Sequence, residues 1–269
     1  MSNNNTASPE TGGHILPPSR ILYADAQCMA INKLCGEAVE GAGPGMYDLP
    51  RMIALSLNDN LADYKESCLS NTDRLPLPSA VHRLDVPVTG CTLFALTHKA
   101  LAFLNGVFTG AETAGGEDGR SIKKIYWAIV EKPPAEIPPA MNLVHWLQFD
   151  SARNKSTAYD KPYKGGKKAA LAYRVTGAGQ NYLFLEIELF SGRHHQIRSQ
   201  LERIGLHIKG DLKYRARRSE AHGGIRLHAR SLDFPHPVEG KNISVSAEPP
   251  LMDNLWQAFK STYPPLESQ

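Results

Sequence analysis

The chain has 269 residues, 42% of them hydrophobic and 21% charged, with a formal net charge of +3. That length and balance fit a globular protein with a sizeable core, in one large or two small domains. No run approaches the ~18 apolar residues of a membrane span, and the Asn/Ser/Thr/Pro/Gly-rich opening to Ser19 lacks the basic start and apolar stretch of a signal peptide.

Residues 1–19 are therefore expected to be a disordered tail, 20–262 one domain and 263–269 a second short tail. Ile21 to Ala24 and Cys28 to Lys33 read as two short strands around a polar turn at Asp25–Gln27. The Gly-rich stretch from Gly36 to Gly45 lacks the Gly-Lys-Ser/Thr ending of a phosphate loop. Tyr47 to Leu57 predicts a short helix. Asn58 to Ser79, polar and carrying Pro76 and Pro78, predicts a mobile excursion. Residues 91–96 predict a buried strand, and Leu101, Leu104, Val107 and Phe108 fall at helical spacing.

Ile122 to Val130 alternates, with Ile125, Trp127 and Ile129 on one face and Tyr126, Ala128 and Val130 on the other. Leu183, Leu185, Ile187 and Leu189 form one face of a further strand. After Gly192 the pattern turns helical: Ile197, Leu201 and Ile204 make a stripe ending at Gly205, with His194 and Arg198 one turn apart on another face. A short strand near 226–229 and a final amphipathic turn from Leu251 to Phe259 close the chain. Strands and helices mix without regular βαβ alternation, which predicts an α+β fold.

Four cysteines without CxxC spacing predict free thiols in a reducing, cytoplasmic setting. No metal is expected either. The one close histidine pair, His194-His195, is adjacent, and neighbours on a helix point about 100° apart. Charge is unevenly spread: residues 151–230 hold 17 Lys/Arg against 6 Asp/Glu, an excess of 11. Such a block points to a polyanion, with Lys164, Lys167, Lys168, Lys213, Arg215, Arg217 and Arg218 as candidate contacts.

His82-Arg83-Leu84-Asp85, followed by Thr89-Gly90, places a charged cluster just ahead of an apolar strand. Downstream lie Lys124-Ile125-Tyr126-Trp127-Ala128, Gly192-Arg193-His194-His195-Gln196-Ile197-Arg198, Gly210-Asp211 and Leu227-His228-Ala229. In this order, the segments resemble the signature of the RluA-type pseudouridine synthases, from about residue 20 to 255. The resemblance implies the family's α+β fold, a mixed but mostly antiparallel sheet flanked by helices around an RNA-binding cleft. It also implies isomerisation of a uridine to pseudouridine in ribosomal or transfer RNA without cofactor or metal, and the chain is expected to be a monomer.

By the same resemblance Asp85 is the catalytic carboxylate, acting at C1′, at C6 or through a glycal. Arg198 is its buried cationic partner, and Tyr126 stacks on the target base. Arg83 fills the space left by the extruded uridine, Leu227 packs the far side of the pocket, and His82, Arg193 and His195 join them as RNA-binding residues. Burying a carboxylate disfavours its charge, and a bidentate guanidinium offsets that with defined orientation. The sequence departs from the family pattern at Val88-Thr89, at Leu34, in the absence of a histidine from Glu37 to Gly43, and at His194, where a small hydroxyl residue is common. With only about 20 residues ahead of the matching region, the S4-type domain of many relatives is not expected. A silent RNA-binding module on the same fold is one rival. A metal-dependent hydrolase is another, and it lacks clustered carboxylates in the sequence.

Overall fold

A computed structural model describes residues 15–43, 47–58, 71–110 and 122–262. Its strands are β1 (Ile21–Ala24), β2 (Cys28–Lys33), β3 (Arg74–Ala80), β4 (Thr89–Thr97), β5 (Lys123–Glu131), β6 (Ala140–Asp150), β7 (Lys155–Tyr159), β8 (Lys167–Ala178), β9 (Tyr182–Leu189), β10 (Leu227–Pro235) and β11 (Asn242–Ser246). The helices are α1 (Leu49–Leu57), α2 (His98–Gly110), α3 (Gln196–Arg203) and α4 (Asn254–Thr262). Among the described residues no helix is long and apolar enough to cross a membrane.

One sheet runs β1-β2-β4-β10-β5-β9-β8-β6-β7, with β3 paired to β4 and β11 to β10. Every pairing is antiparallel except β4 with β10, which is parallel. The expected α+β class and mostly antiparallel sheet are thus present.

The period-2 pattern decides what each strand buries. In β4, Phe94 and Leu96 enter the main core, while Cys91, Leu93 and Ala95 enter a second core shared with Ala100 and Leu104 of α2. The split foreseen for β5 holds: Tyr126, Ala128 and Val130 face the main core, and Trp127 and Ile129 face Trp256 and Phe259 of α4. Leu183, Leu185, Ile187 and Leu189 of β9 line the main core as expected.

Three expectations need correction. Ile15 to Ser19 does not belong to a loose tail: Leu16 is 2% exposed, and its N–H donates to Ser56 Oγ at 2.8 Å. Burial of one apolar side chain and a hydrogen bond hold this segment; residues 1–14 and 263–269 lie outside the described ones. Of the excursion expected from 58 to 79, residues 59–70 lie outside the described ones, and its last part is β3, which pairs with β4. Its two prolines fall where the β3–β4 register is interrupted, between Arg74 and Ser79, so their missing N–H groups break none of the regular ladder with β4. The long β6–β8 arm had no strand assigned from sequence, since its burial alternates with small and polar residues such as Ala169, His145 and Gln148.

Candidate active site

The Thr89-Gly90 pair is explained by the parallel contact between β4 and β10. Gly90 lies opposite Ala229 with φ +115°, and a Cβ there would sit 2.2 Å from the Ala229 carbonyl oxygen and 2.6 Å from its nitrogen. Only glycine permits this approach and this backbone angle. Beside it, Thr89 Oγ1 lies 2.8 Å from His228 Nδ1, whose Nε2 faces the Ala247 carbonyl at 2.9 Å. A carbonyl accepts only, so Nε2 carries the hydrogen and Nδ1 accepts from the threonine. Burial holds His228 neutral, its pKa pushed down to about 4.

The crossing points the preceding loop, 81–88, at the mouth of the sheet. Three contacts fix that loop. Leu84 is buried in the main core, the Asp85 carbonyl accepts from Val88 N at 3.0 Å, and Lys33 of β2 reaches in from below. The Lys33 ammonium is fully buried and donates to the carbonyls of Leu34 (3.0 Å), Val86 (3.0 Å) and Val88 (2.7 Å). Three carbonyl dipoles replace its lost water, although burial still lowers its pKa to about 8.

Asp85 is half-buried, with 22% of its side chain exposed, and Arg198 Nη1 donates to its Oδ2 at 2.9 Å. The rest of the guanidinium is gripped by Asp211: Nε to Oδ2 at 2.7 Å and Nη2 to Oδ1 at 2.8 Å. Arg198 is 5% and Asp211 1% exposed. The arginine also lies over the Tyr214 ring, 4.8 Å from its centroid. Hydrogen bonding and charge from Asp211 first, then Asp85, outweigh burial and raise the Arg198 pKa. One guanidinium thus sits between two carboxylates, leaving Asp85 as the reachable negative group.

The helical expectation for residues 194 and 195 is corrected. α3 begins at Gln196, and His195, its N-cap residue, is left-handed with φ 51° and ψ 28°. His194 therefore does not share a helix face with Arg198. Its ring packs at a tilt against Phe149 of β6, centroids 4.1 Å apart, and against His195 at 3.9 Å. His195 Nε2 lies 3.5 Å from Asp85 Oδ2, and its Nδ1 lies 3.0 Å from Tyr214 Oη. Because the pair is off the helix, the angular argument against a shared ligand fails: Asp85, His194 and His195 offer atoms within 4.8 Å of one another. A second such trio, Asp25, Cys28 and His236, is occupied by internal hydrogen bonds. Asp25 accepts from Tyr23 Oη, from Gln27 N and Cys28 N, and from His236 Nε2.

The other expected residues divide. Tyr126 is buried on the core face of β5 opposite Ala229, and burial and then the charge of Asp85 raise its pKa. Leu227, 3% exposed, pairs with Ala128 on the same face. Arg83 is exposed on the Asp85 loop, as is Val86. His82 turns away from the cleft: it stacks on Phe108 at 5.2 Å, and its Nε2 accepts from Leu93 N at 3.2 Å. Arg193 braces the turn before α3, with Nε donating to the Lys168 carbonyl at 3.2 Å. Of the basic candidates, Arg215 pairs with Glu202 and Arg217 with Glu131, while Lys164, Lys167 and Lys168 are exposed near the stacked rings of Tyr159 and Tyr163.

Residues 27–203 match the family described as RNA pseudouridylate synthase. The chain belongs to that family. It is a pseudouridine synthase of the RluA type, as its motifs suggested. An uncharacterized RNA pseudouridine synthase of Synechocystis is 32% identical across 87% of this chain, which spans 66% of that relative's length. The tRNA pseudouridine synthase C of Haemophilus ducreyi is 29% identical across 88% of this chain and 92% of its own. The dual-specificity RNA pseudouridine synthase RluA of Escherichia coli is 27% identical, covering 84% and 91%. The solved structure of human RNA pseudouridylate synthase domain containing 4 shares the fold, with a TM-score of 0.63 at 20% identity over 91% of both chains.

Sequence reasoning missed four groups in the synthase site: Lys33, Phe149, the grip of Asp211 on Arg198, and Tyr214. Asp211 had a usable signal. An arginine buried beside one carboxylate leaves donors unsatisfied, and the Gly210-Asp211 motif supplied the second acceptor. Lys33 lies in the Asn32-Lys33 pair that also fits the family pattern, though its contact with the Asp85 loop is not legible there; Phe149 and Tyr214 carried no comparable signal.

Proposed function

We propose that this pseudouridine synthase isomerises a uridine in ribosomal or transfer RNA, with Asp85 as the catalytic carboxylate. The observation that carries the reading is a reachable Asp85 carboxylate hydrogen-bonded to a buried arginine that a second carboxylate orients. The names of the relatives, which include a large-subunit and a transfer-RNA enzyme, support the choice of RNA.

The isomerisation breaks the N1–C1′ bond, joins C5 to C1′, and exchanges the proton lost from C5 for one gained at N1, so no atom is gained or lost. Asp85 serves as nucleophile at C1′ or C6, or as base toward the ribose. Arg198 stabilises its negative charge and fixes the direction of its Oδ2 lone pairs. Tyr126 forms the floor against which the detached uracil stacks while it turns, with Leu227 beside it. A uridine inside a stem must leave the stack, at a cost of a few kcal/mol, and Arg83 takes its place with a planar cation. His82 is given the task of holding the base of the Asp85 loop in place of an RNA contact.

Pseudouridine mapping of total RNA tests this, using cells lacking the protein complemented with wild type or Asp85→Asn. Wild type restores at least one site and Asp85→Asn restores none. Recovery of the site by the asparagine variant, or no dependent site at all, overturns the proposal; a silent RNA-binding module gives the second result.

A further inference from the structure

His195 has one ring nitrogen whose partner is missing. Tyr214 Oη accepts from Ser156 N at 2.9 Å and donates its single proton to the Ser156 carbonyl at 3.1 Å. With that proton on the carbonyl, the phenol oxygen accepts from His195 Nδ1, which in this arrangement carries the ring hydrogen. That leaves Nε2 as a bare lone pair, 3.5 Å from an oxygen of Asp85. Among the described residues no hydrogen bond reaches Nε2, although His195 is only 7% exposed. Burial and then the neighbouring Arg198 cation keep the ring neutral, with its pKa lowered to about 2.

Two acceptors therefore converge, with Arg198 Nη1 donating on the Asp85 side and no donor on His195 Nε2. An arrangement of this kind is electrostatically unfavourable until a donor arrives. The left-handed backbone at His195 aims the ring there, at a cost of about 1–2 kcal/mol for an L-residue. Inside an RNA chain the 3′ and 5′ oxygens are esterified, so the 2′-hydroxyl is the one sugar donor. It also sits on the carbon next to C1′, within reach of any group acting at the glycosidic bond, and it separates RNA from DNA. A cation is the other kind of occupant for an acceptor pair. The Arg198 guanidinium 2.9 Å from Asp85 opposes it, and the ring of His194, which offers the third ligand atom, is packed between Phe149 and His195.

We propose that His195 Nε2 and Asp85 together accept the 2′-hydroxyl of the target nucleotide, making His195 the residue that selects ribose over deoxyribose. This rests on the reading that Asp85 works at the target nucleotide. It adds a hydroxyl-recognition role to a histidine expected only as a general RNA contact.

The test uses a synthetic RNA carrying the site mapped in cells, with uridine, 2′-fluorouridine or 2′-deoxyuridine at the target. The fluoro sugar keeps the ribose pucker and removes the donor. Wild type loses about tenfold or more in kcat/KM on both analogues, the size of one hydrogen bond to a charged group. His195→Phe loses about as much on uridine itself and no longer separates the three RNAs. The wild-type series alone decides if that variant does not fold. Turnover of the 2′-fluoro RNA by wild type within about twofold of uridine overturns the inference and leaves the role of Asp85 standing. A ribose preference kept by His195→Phe overturns the assignment to His195. Inhibition of wild type by micromolar zinc chloride that His195→Phe escapes, with 2′-fluoro RNA turned over normally, replaces the hydroxyl by a cation. Product from Asp85→Asn, or the absence of any mapped site, overturns the catalytic reading beneath it.

Discussion

Arg198 joins chemistry to stability, because its five donors are divided between a reachable carboxylate and one that is 1% exposed. Lysine keeps the charge but has no planar fork, so it cannot hold Asp211 with two bonds and reach Asp85 with a third. Arg198→Lys is expected to lower stability by about 2–4 kcal/mol, since Asp211 is left buried and under-paired. It is also expected to cut kcat by at least about tenfold, as Asp85 loses its fixed partner. Urea denaturation and single-turnover kinetics read the two losses separately. Unchanged stability would mean that Asp211 has another partner.

At the scale of elements, the crossing of β4 and β10 sets where the Asp85 loop emerges. Gly90→Ala adds a Cβ that meets backbone atoms of Ala229 at 2.2–2.8 Å in a conformation L-residues rarely adopt, and backbone cannot step aside as a flexible side chain can. We expect this variant to be insoluble or to melt far below wild type. Gly106→Ala is the control: in α2, with nothing within 4 Å of the new Cβ, it gains about 0.5–1 kcal/mol of helix stability. Thermal melts of the pair check the argument, and equal melting temperatures would refute it. The end of α3 is equally specific. Gly205, with φ +78°, donates to the Glu202 carbonyl while Leu206 N reaches Leu201 O, a Schellman cap that stops the helix where the Gly205 signal foretold.

Across the molecule, three histidines in separate places are held neutral: His82 under the Asp85 loop, His195 in the site, and His228 behind β4. Burial is the largest cause in each, lowering the pKa values from 6.5 to about 3, 2 and 4. Below pH 6.5 the unfolded chain binds protons at these rings and the folded chain does not, so stability falls as the pH drops toward 4. Each ring contributes about 1.4 kcal/mol per pH unit over that interval. Melting temperature measured from pH 7 to 4.5 should drop steeply, and His228→Asn should flatten the slope by less than one third, since burial also lowers the pKa values of His145 and His194. A profile level to pH 4.5 would contradict the neutral assignment. The basic block from 151 to 230 is a whole-molecule feature too. Much of it is spent on internal pairs, as in Arg174 with Glu186 and Arg203 with Asp160, leaving Lys164, Lys167 and Lys168 among the exposed charges.

The sequence by itself determined the strands β4, β5 and β9, because burial with period 2 is written locally in the order of the residues. It also determined which residue types carry the chemistry, since Asp85, Tyr126 and Arg198 lie inside motifs whose order alone points to the family. Only the tertiary structure decided how they act together. Asp85 and Arg198 are 113 residues apart, and the buried bonds of Lys33 to Val88 and of Tyr214 to Ser156 span 55 and 58. No local pattern encodes contacts at such distances. For the same reason a helical reading of His194 and His195 failed: the left-handed turn at His195 is held by Tyr214, Ser156 and Phe149, which reach it from other strands and turns. That turn produces the bare Nε2 facing Asp85, a feature of folded geometry that the residue order alone does not show.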